Sequence, residues 1–346
     1  MPFPDNTDFC CLALNGPRLD VPGLHILLPG LTLSNSQDSV DLDETWAKWL
    51  GSLQADSFRK SSLFITAQKQ HLFAGGDEAI RLKLEDRVRL LHKALVLEGC
   101  GYNSSVLMIG GNVSGGHLHV GPVSSGLTPS YRPFRVPRLI SMPALKQATT
   151  ILSSLEHVYE HVREPLYRRI RKGFNLWIRG TEEGEDLSER LHLFLRATEA
   201  IIRPTIAKKR RKGSKKPPWR AVTNTFKDRG QTFVGRSKRN SRLLQQLYGI
   251  RSSIAHVHDI LPKVHKVKGM SSEEAFRFRA LQCEILASAI YSRIFTNNAL
   301  REQLRTERGV EGFWRRSEAR RVDLWGESTD INTAALREFD GESSVA

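Results

Sequence analysis

The sequence predicts an α+β protein, with an N-terminal α/β or β-rich region followed by a C-terminal α-helical bundle. Three observations lead there. Residues 1–143 mix short apolar runs with many Gly, Pro and Ser residues, the texture of short strands and turns. From Pro143 onward, apolar residues recur every three or four positions, the period of helices with one buried face. Beyond Arg305 the chain turns polar. The predicted organisation is therefore an N-terminal region over 1–143, a helical domain over 144–304 and a loosely docked polar tail over 305–346.

In the first region, Leu24–Leu33, Ser62–Thr66 and Ser105–Ile109 are apolar runs of strand length, and Glu78–Leu97 reads as a helix. In the second, Leu145, Ala148, Leu152, Leu155, Tyr159, Val162 and Leu166 form one helical stripe. Pro165 should kink or restart it, because proline lacks the N–H and clashes with the preceding turn. A second helix follows Glu185 and Asp186, with Leu187, Leu191, Phe194, Leu195, Thr198, Ile201 and Ile202 on one face, and Pro204 ends it. Residues 208–218, KKRRKGSKKPP, read as a solvated loop closed by prolines. Helices are expected over Ala221–Thr232 and along Leu243, Leu247, Ile250, Ile254, Val257 and Leu261. Phe276–Leu304 is apolar on more than one face, as a central buried helix would be. The tail is polar and aromatic-poor, with Phe313, Trp314 and Trp325 standing out as large apolar residues. No internal repeat is visible.

A chain of 346 residues with 40% hydrophobic content can bury real cores. Its 52 Lys and Arg against 37 Asp and Glu leave +15, so polyanions are natural partners. Between Arg203 and Arg242, fifteen basic residues face one acid, Asp228, a local excess of +14. Cys10, Cys11, Cys100 and Cys283 show no CxxC or disulfide-framework spacing, which fits a reducing interior. The start, MPFPDNTDF, has no secretory-signal pattern, and the apolar runs are too short to span a bilayer. A cytoplasmic protein with no membrane partner is expected.

The segment LLQQLYGIRSSIAHVHDIL carries the chemistry. Arg251 precedes His256 by five residues, and the pair supplies a fixed positive charge and an imidazole that titrates near neutral pH. Those are the two kinds of group needed to cleave RNA without a metal: the guanidinium can bind a phosphate bidentately and the imidazole can take or give a proton. At ~100° per residue, positions five apart lie about 140° apart on a straight helix. Arg251 and His256 therefore converge on one phosphate only if the helix begins or bends near the arginine, or if a second copy supplies the partner group across a two-fold interface. On spacing alone, Arg and His beside a core stripe also describe a solvated or salt-bridged helix flank. Glu199, one helix earlier, has two candidate partners: Arg251, and the ordinary i,i+4 neighbour Arg203, which is the simpler expectation.

The runs RLHLFLRATEAIIRP (190–204), FKDRGQTFVG (226–235) and LYGIRSSIAHVHD (247–259) resemble the HEPN family, and especially its defence-associated Apea-like branch, in which an FxRAxE helix precedes an LYxxRSxxxH helix. The resemblance covers roughly 150–300 and leaves the first 143 residues unmatched. It implies a helical bundle that forms a homodimer, a metal-independent endoribonuclease site with no cofactor, and a setting in antiviral defence or stress response. By that resemblance Arg251 binds the phosphate, Ser252 is the polar residue that follows it, and His256 is catalytic. His258 satisfies the looser R-x6-H spacing, so either histidine can fill the role. Family members with Arg-x4-His-x-Tyr have a tyrosine where His258 stands, which argues against regulation by tyrosine modification here. The alternative is a catalytically inactive HEPN-type module that binds RNA, a nucleotide or a protein.

RNA phosphate would be collected by Lys208, Lys209, Arg210, Arg211, Lys212, Lys215 and Lys216, extended by Arg236, Lys238 and Arg239, through sequence-independent counterion release. The same run also suits a solvated insertion. GGNVSGGHLHVG (110–121) lacks the Lys-Ser/Thr ending of a P-loop, and one His117-x-His119 pair without a third ligand reads as a glycine-rich β-turn with half-exposed histidines, not a metal site. Acidic residues around Asp41–Glu44 and Glu182–Asp186 read as charges at helix N-termini.

Overall fold

The computed structural model describes residues 3–36, 44–71, 78–102, 105–124, 139–182, 186–203, 218–255 and 266–343. The chain is α+β and divides into two compact units, 1–157 and 158–346.

The first unit holds strands β1 (Thr7–Asn15), β2 (Arg18–Leu19), β3 (Leu24–Leu28) and β4 (Leu31–Ser34), helices α1 (Glu44–Leu50) and α2 (Ser52–Arg59), and strand β5 (Leu63–Gln70). Helix α3 (Glu78–Leu97), strands β6 (Ser105–Ser114), β7 (His117–Ser124) and β8 (Leu139–Ile140), and most of helix α4 (Met142–Glu160) complete it. Six strands form one antiparallel sheet in the order β3-β4-β5-β1-β6-β7. The central strand β1 is buried from Thr7 to Leu14 because both faces of the sheet are covered. Phe9, Cys11 and Ala13 pack in one cluster with Leu50 of α1 and Phe58 of α2. Cys10, on the opposite face, feels the charges of Glu85 and Arg89 on α3, whose Leu84, Val88, Leu91 and Leu95 are buried. The alternation of β1 is thus hidden from a sequence reader, since a strand covered on both sides reads as a continuous apolar run. Arg87 of α3 pairs with Glu156 of α4 at 2.9 Å. The β6–β7 hairpin turns at Gly115 and Gly116, φ +58° and +74°, the two left-handed positions of a type I′ turn. Both His117 and His119 are exposed beyond it, as the glycine-rich turn implied.

The second unit is helical: α5 (Arg168–Thr181), α6 (Leu187–Ile202), α7 (Pro218–Val234), α8 (Lys238–Ala255), α9 (Ser272–Thr296), α10 (Asn298–Gln303), α11 (Glu307–Arg315), α12 (Glu318–Trp325) and α13 (Ile331–Ser343). Asp186 caps α6 by accepting from the backbone N–H groups of Ser188 and Glu189, the role expected for the acids before that helix. Helix α9 is buried on most sides and packs against α5, α6 and α13; Ser271 and Glu274 form a reciprocal capping box at its start. The expected run to Leu304 is broken at Asn297, which caps α10. Helices α5 and α6 approach closely at Gly173 and Gly180, where a Cβ would lie 1.8 Å from the Tyr291 hydroxyl and 2.8 Å from the Phe194 ring. The Tyr291 hydroxyl donates to the carbonyl of Ala197 at 2.8 Å, fixing α9 to α6.

Three expectations change. The stripe drawn through Leu166 stops early: α4 ends at Glu160, and Val162 is exposed. Past that end the buried guanidinium of Arg171 donates to the carbonyls of Val158, His161, Val162, Glu164 and Leu166, winding the chain around one side chain. A new helix, α5, starts at Arg168 after Pro165, the restart expected there. The tail is not loosely docked. Its short helices bury Val310, Phe313, Trp314, Trp325, Ile331 and Ala335, and α13 packs on α9. A few large side chains in short helices suffice to anchor it, although its average composition is polar. The division at 157/158 also lies further along than the change of periodicity at Pro143, because α4 runs across it. Among the described residues, no helix is long and apolar enough to cross a membrane.

Candidate functional site

Helices α6 and α8 pack together in the second unit and bring five polar side chains to one place. On α6, His192, Arg196 and Glu199 are spaced four and three apart, so they share the face beside the buried stripe. On α8, Tyr248 and Arg251 lie three apart, with Ser252 half-buried next to them. The Arg251 Nη2 meets the Glu199 Oε2 at 2.9 Å, with the two side chains 23% and 15% exposed. The guanidinium also lies 5.8 Å from the centre of the Tyr248 ring, within cation–π reach. Tyr248 is fixed in turn against Phe226, ring centres 4.8 Å apart. Arg251 is therefore oriented by a carboxylate and a ring, and its buried Nε–H meets no acceptor among the described residues.

The titratable groups respond to this crowding. Burial, reinforced by the adjacent Glu199 carboxylate, pushes the Tyr248 phenol up to about 12, so it stays protonated at neutral pH. Burial and the positive charges of Arg251 and Arg196 push His192 below the ordinary imidazole value, so it stays neutral. The His192 Nδ1 is buried and has no hydrogen-bond partner among the described residues. The guanidinium can bind an anion, while the burial and positive neighbours that keep His192 neutral also make it a weak base.

On its other side Glu199 borders a pocket of about 370 Å3, whose lining includes Arg168, Arg169 and Lys172 of α5 and Arg196 of α6. Arg169 is partly committed, pairing with Glu307 at 2.6 Å and donating to the carbonyl of Ala200. The remaining cations make this a positive surface continuous with the Arg251 cluster.

Glu199 takes the distant partner rather than the near one. Arg203 adopts a left-handed conformation (φ +48°) that ends α6, which turns its side chain away from Glu199 and onto Glu311 at 2.6 Å and Glu307 at 3.5 Å. Helix α8 begins at Lys238 and is still helical at Ala255, so it does not start at the arginine. Both His256 and His258 lie outside the described residues, as do Lys208, Lys209, Arg210, Arg211, Lys212, Lys215 and Lys216. Arg236 is exposed but ion-paired with Glu318, and Lys238 and Arg239 open α8. Among the described residues, no three His, Cys, Asp or Glu side chains converge as a metal ion would require.

His192, Arg196 and the Arg168–Lys172 cluster were not singled out from sequence. The signal was present as the 4, 3 spacing of His192, Arg196 and Glu199, a polar stripe lying beside the apolar one. Comparison with protein-family models, curated protein sequences and solved structures gives no match for this chain.

Proposed function

We propose that the helical unit is a metal-independent endoribonuclease of the HEPN type. The observation that carries this reading is the Glu199–Arg251 pair with the neutral imidazole of His192 beside it. Arg251 supplies the charge that stabilises the phosphorane oxygens, a role worth about 3–4 kcal/mol of barrier in comparable electrostatic sites. Glu199 and Tyr248 hold the guanidinium in position. One imidazole deprotonates the ribose 2′-OH, which attacks the adjacent phosphorus. The P–O5′ bond breaks, and a second imidazole returns a proton to the leaving 5′-oxygen. His256 and His258 remain the family-like candidates for these steps, with Ser252 as a polar neighbour of the phosphate and His192 as a neutral side chain beside the guanidinium. The products carry 2′,3′-cyclic phosphate and 5′-hydroxyl ends, and DNA, lacking the nucleophile, is not cut.

RNA reaches the site through sequence-independent contacts with Lys208–Lys216, helped by Arg168, Lys172 and Arg196. A second copy of the chain joins across α8, where Gly249 presents bare backbone with open space above it. The setting we favour is a cytoplasmic antiviral or stress response.

One observation favours a second reading, a non-catalytic RNA-, nucleotide- or protein-binding module: the Glu199 carboxylate offsets the charge of Arg251. Incubating the full chain with total RNA in EDTA, wild type beside Arg251→Ala, separates the two. Cleavage by wild type alone supports the nuclease. RNA binding without cleavage, on RNA from stressed or phage-infected cells as well, supports the module.

A further inference from the structure

The helical unit contains a second basic centre, built differently from the first. Arg279 lies in the buried helix α9 and is only 7% exposed. No carboxylate pairs with it among the described residues. Its Nη1 donates to the Gln282 Oε1 at 2.8 Å and its Nη2 to the Gln246 Oε1 at 2.9 Å, while its Nε is buried without a partner. The amides are themselves held, since the Gln282 Nε2 donates to the Asn332 Oδ1 at 2.7 Å. A buried guanidinium given only neutral acceptors is an unusual arrangement, because a cation removed from water ordinarily takes an anionic partner with it. Here burial even pushes the Arg279 group below its ordinary value.

Arg279 lines a pocket of about 360 Å3 whose other cations are Lys238, Arg239 and Arg242. Those three stand in the first turns of α8, which contain no acid. Helix N-termini already carry positive potential, so three cations there oppose the macrodipole and weaken the helix. Stability does not ask for them; an anion does. Arg239 does influence the carboxylate of Asp330, which is occupied capping α13 through the N–H groups of Asn332 and Thr333. Four cations thus line one pocket with no carboxylate among its described lining residues.

We propose that this pocket binds the phosphate groups of a small ligand, of the class of inorganic pyrophosphate or a nucleoside di- or triphosphate, with Arg279 as the buried contact and Lys238, Arg239 and Arg242 closing over it. Each Nη of Arg279 spends one N–H on a glutamine oxygen and keeps a second, and a guanidinium fork of this kind matches phosphate oxygens. Its volume falls in the range of small-molecule sites and is too small for more than a nucleotide-sized ligand. This assignment departs from the expectation that Lys238 and Arg239 merely lengthen an RNA-collecting run. It does not depend on the nuclease reading, since all of its groups lie outside the Arg251 cluster.

The test is isothermal titration of inorganic pyrophosphate, and separately of ADP, into the full chain, with thermal unfolding followed at ~1 mM ligand. Wild type is expected to bind both and to unfold at a higher temperature. Arg242→Ala, an exposed change that leaves the core alone, should weaken binding at least ~10-fold, and so should Arg279→Met, because each removes a charge-assisted bond. Should Arg279→Met fail to fold, the exposed pair Lys238→Ala with Arg239→Ala serves in its place. Arg251→Ala should bind pyrophosphate as wild type does, which keeps this proposal separable from the nuclease. The proposal is overturned if neither ligand binds wild type, if binding survives these substitutions, or if Arg251→Ala abolishes it. It is equally overturned if a single-stranded RNA binds at Arg242 and pyrophosphate fails to displace it.

Discussion

Glu199 and Arg251, 52 positions apart in sequence, meet at 2.9 Å across the α6–α8 contact, and the cluster around the proposed catalytic guanidinium is organised by that bond. Replacing Glu199 by Gln keeps the shape and removes the charge. Arg251 then gains freedom to leave its position, so RNA cleavage should fall by ~10-fold or more, as misplacement in an active site does. Unfolding in urea should also show a loss of about 1–3 kcal/mol, the consequence of leaving a half-buried cation uncompensated. If Glu199→Gln cleaves faster, the carboxylate restrains the arginine instead of orienting it.

His192 predicts a pH effect with a defined sign. Its folded value lies below the ordinary 6.5, so as pH falls through about 6.5 the unfolded chain takes up a proton that the folded chain refuses. This contribution to stability is full above 6.5 and is lost progressively on acidification, until the pH reaches the lowered folded value. His192→Gln should therefore flatten the decline in stability between about pH 7 and 5. Parallel slopes for the two proteins in urea titrations across that range would contradict the assignment.

Two glycines give opposite predictions. Gly173→Ala would drive a methyl group into the Tyr291 hydroxyl and Ala200, disturbing the α5–α6–α9 contact, and should destabilise by about 3 kcal/mol. Gly249, in α8 with nothing within 4 Å of a built Cβ, should gain about 0.5–1 kcal/mol on replacement by Ala. If a second copy docks across this bare stretch, Gly249→Ala will stabilise the monomer while weakening dimerisation, which analytical ultracentrifugation will show.

Arg171→Met removes five hydrogen bonds to backbone carbonyls, one of them fully buried and four partly so. A loss of about 3–5 kcal/mol is expected, with the segment 158–166 exchanging its amides first. Uniform exchange across the helical unit would show that Arg171 is not what holds this segment.

Much of the fold was legible because periodicity is a local signal. The stripe of α6, that of α8 as far as Ile254 (Val257 and Leu261 lie outside the described residues), the cap at Asp186 and the bounds of α3 follow from spacing and capping chemistry within one element. The single run Leu24–Leu33, by contrast, is two strands, β3 and β4. What was not legible depends on side chains meeting across elements. Nothing local distinguishes Arg171, which gathers five carbonyls, from a surface arginine in the run RRIRKG. Arg203 looked like the natural partner of Glu199 because i,i+4 geometry was assumed to continue, and the left-handed residue that ends α6 breaks that geometry. The docking of the tail is hidden by its polar composition, because single rings such as Trp314 and Trp325 bury an area that an average does not show. Arg251 was found from its motif, whereas His192 becomes visible only once α6 and α8 are side by side.

The central claim is that Arg251 stabilises an RNA phosphorane formed by attack of a 2′-hydroxyl. It is tested most directly with an RNA oligonucleotide and its counterpart carrying one 2′-deoxy residue at the mapped scissile position, both incubated with the full chain in EDTA. The account predicts cleavage of the all-ribo strand to a 2′,3′-cyclic phosphate, none at the deoxy position, and a loss of ~100-fold or more with Arg251→Ala. Cleavage at the deoxy position, or an Arg251→Ala protein as active as wild type, would contradict it.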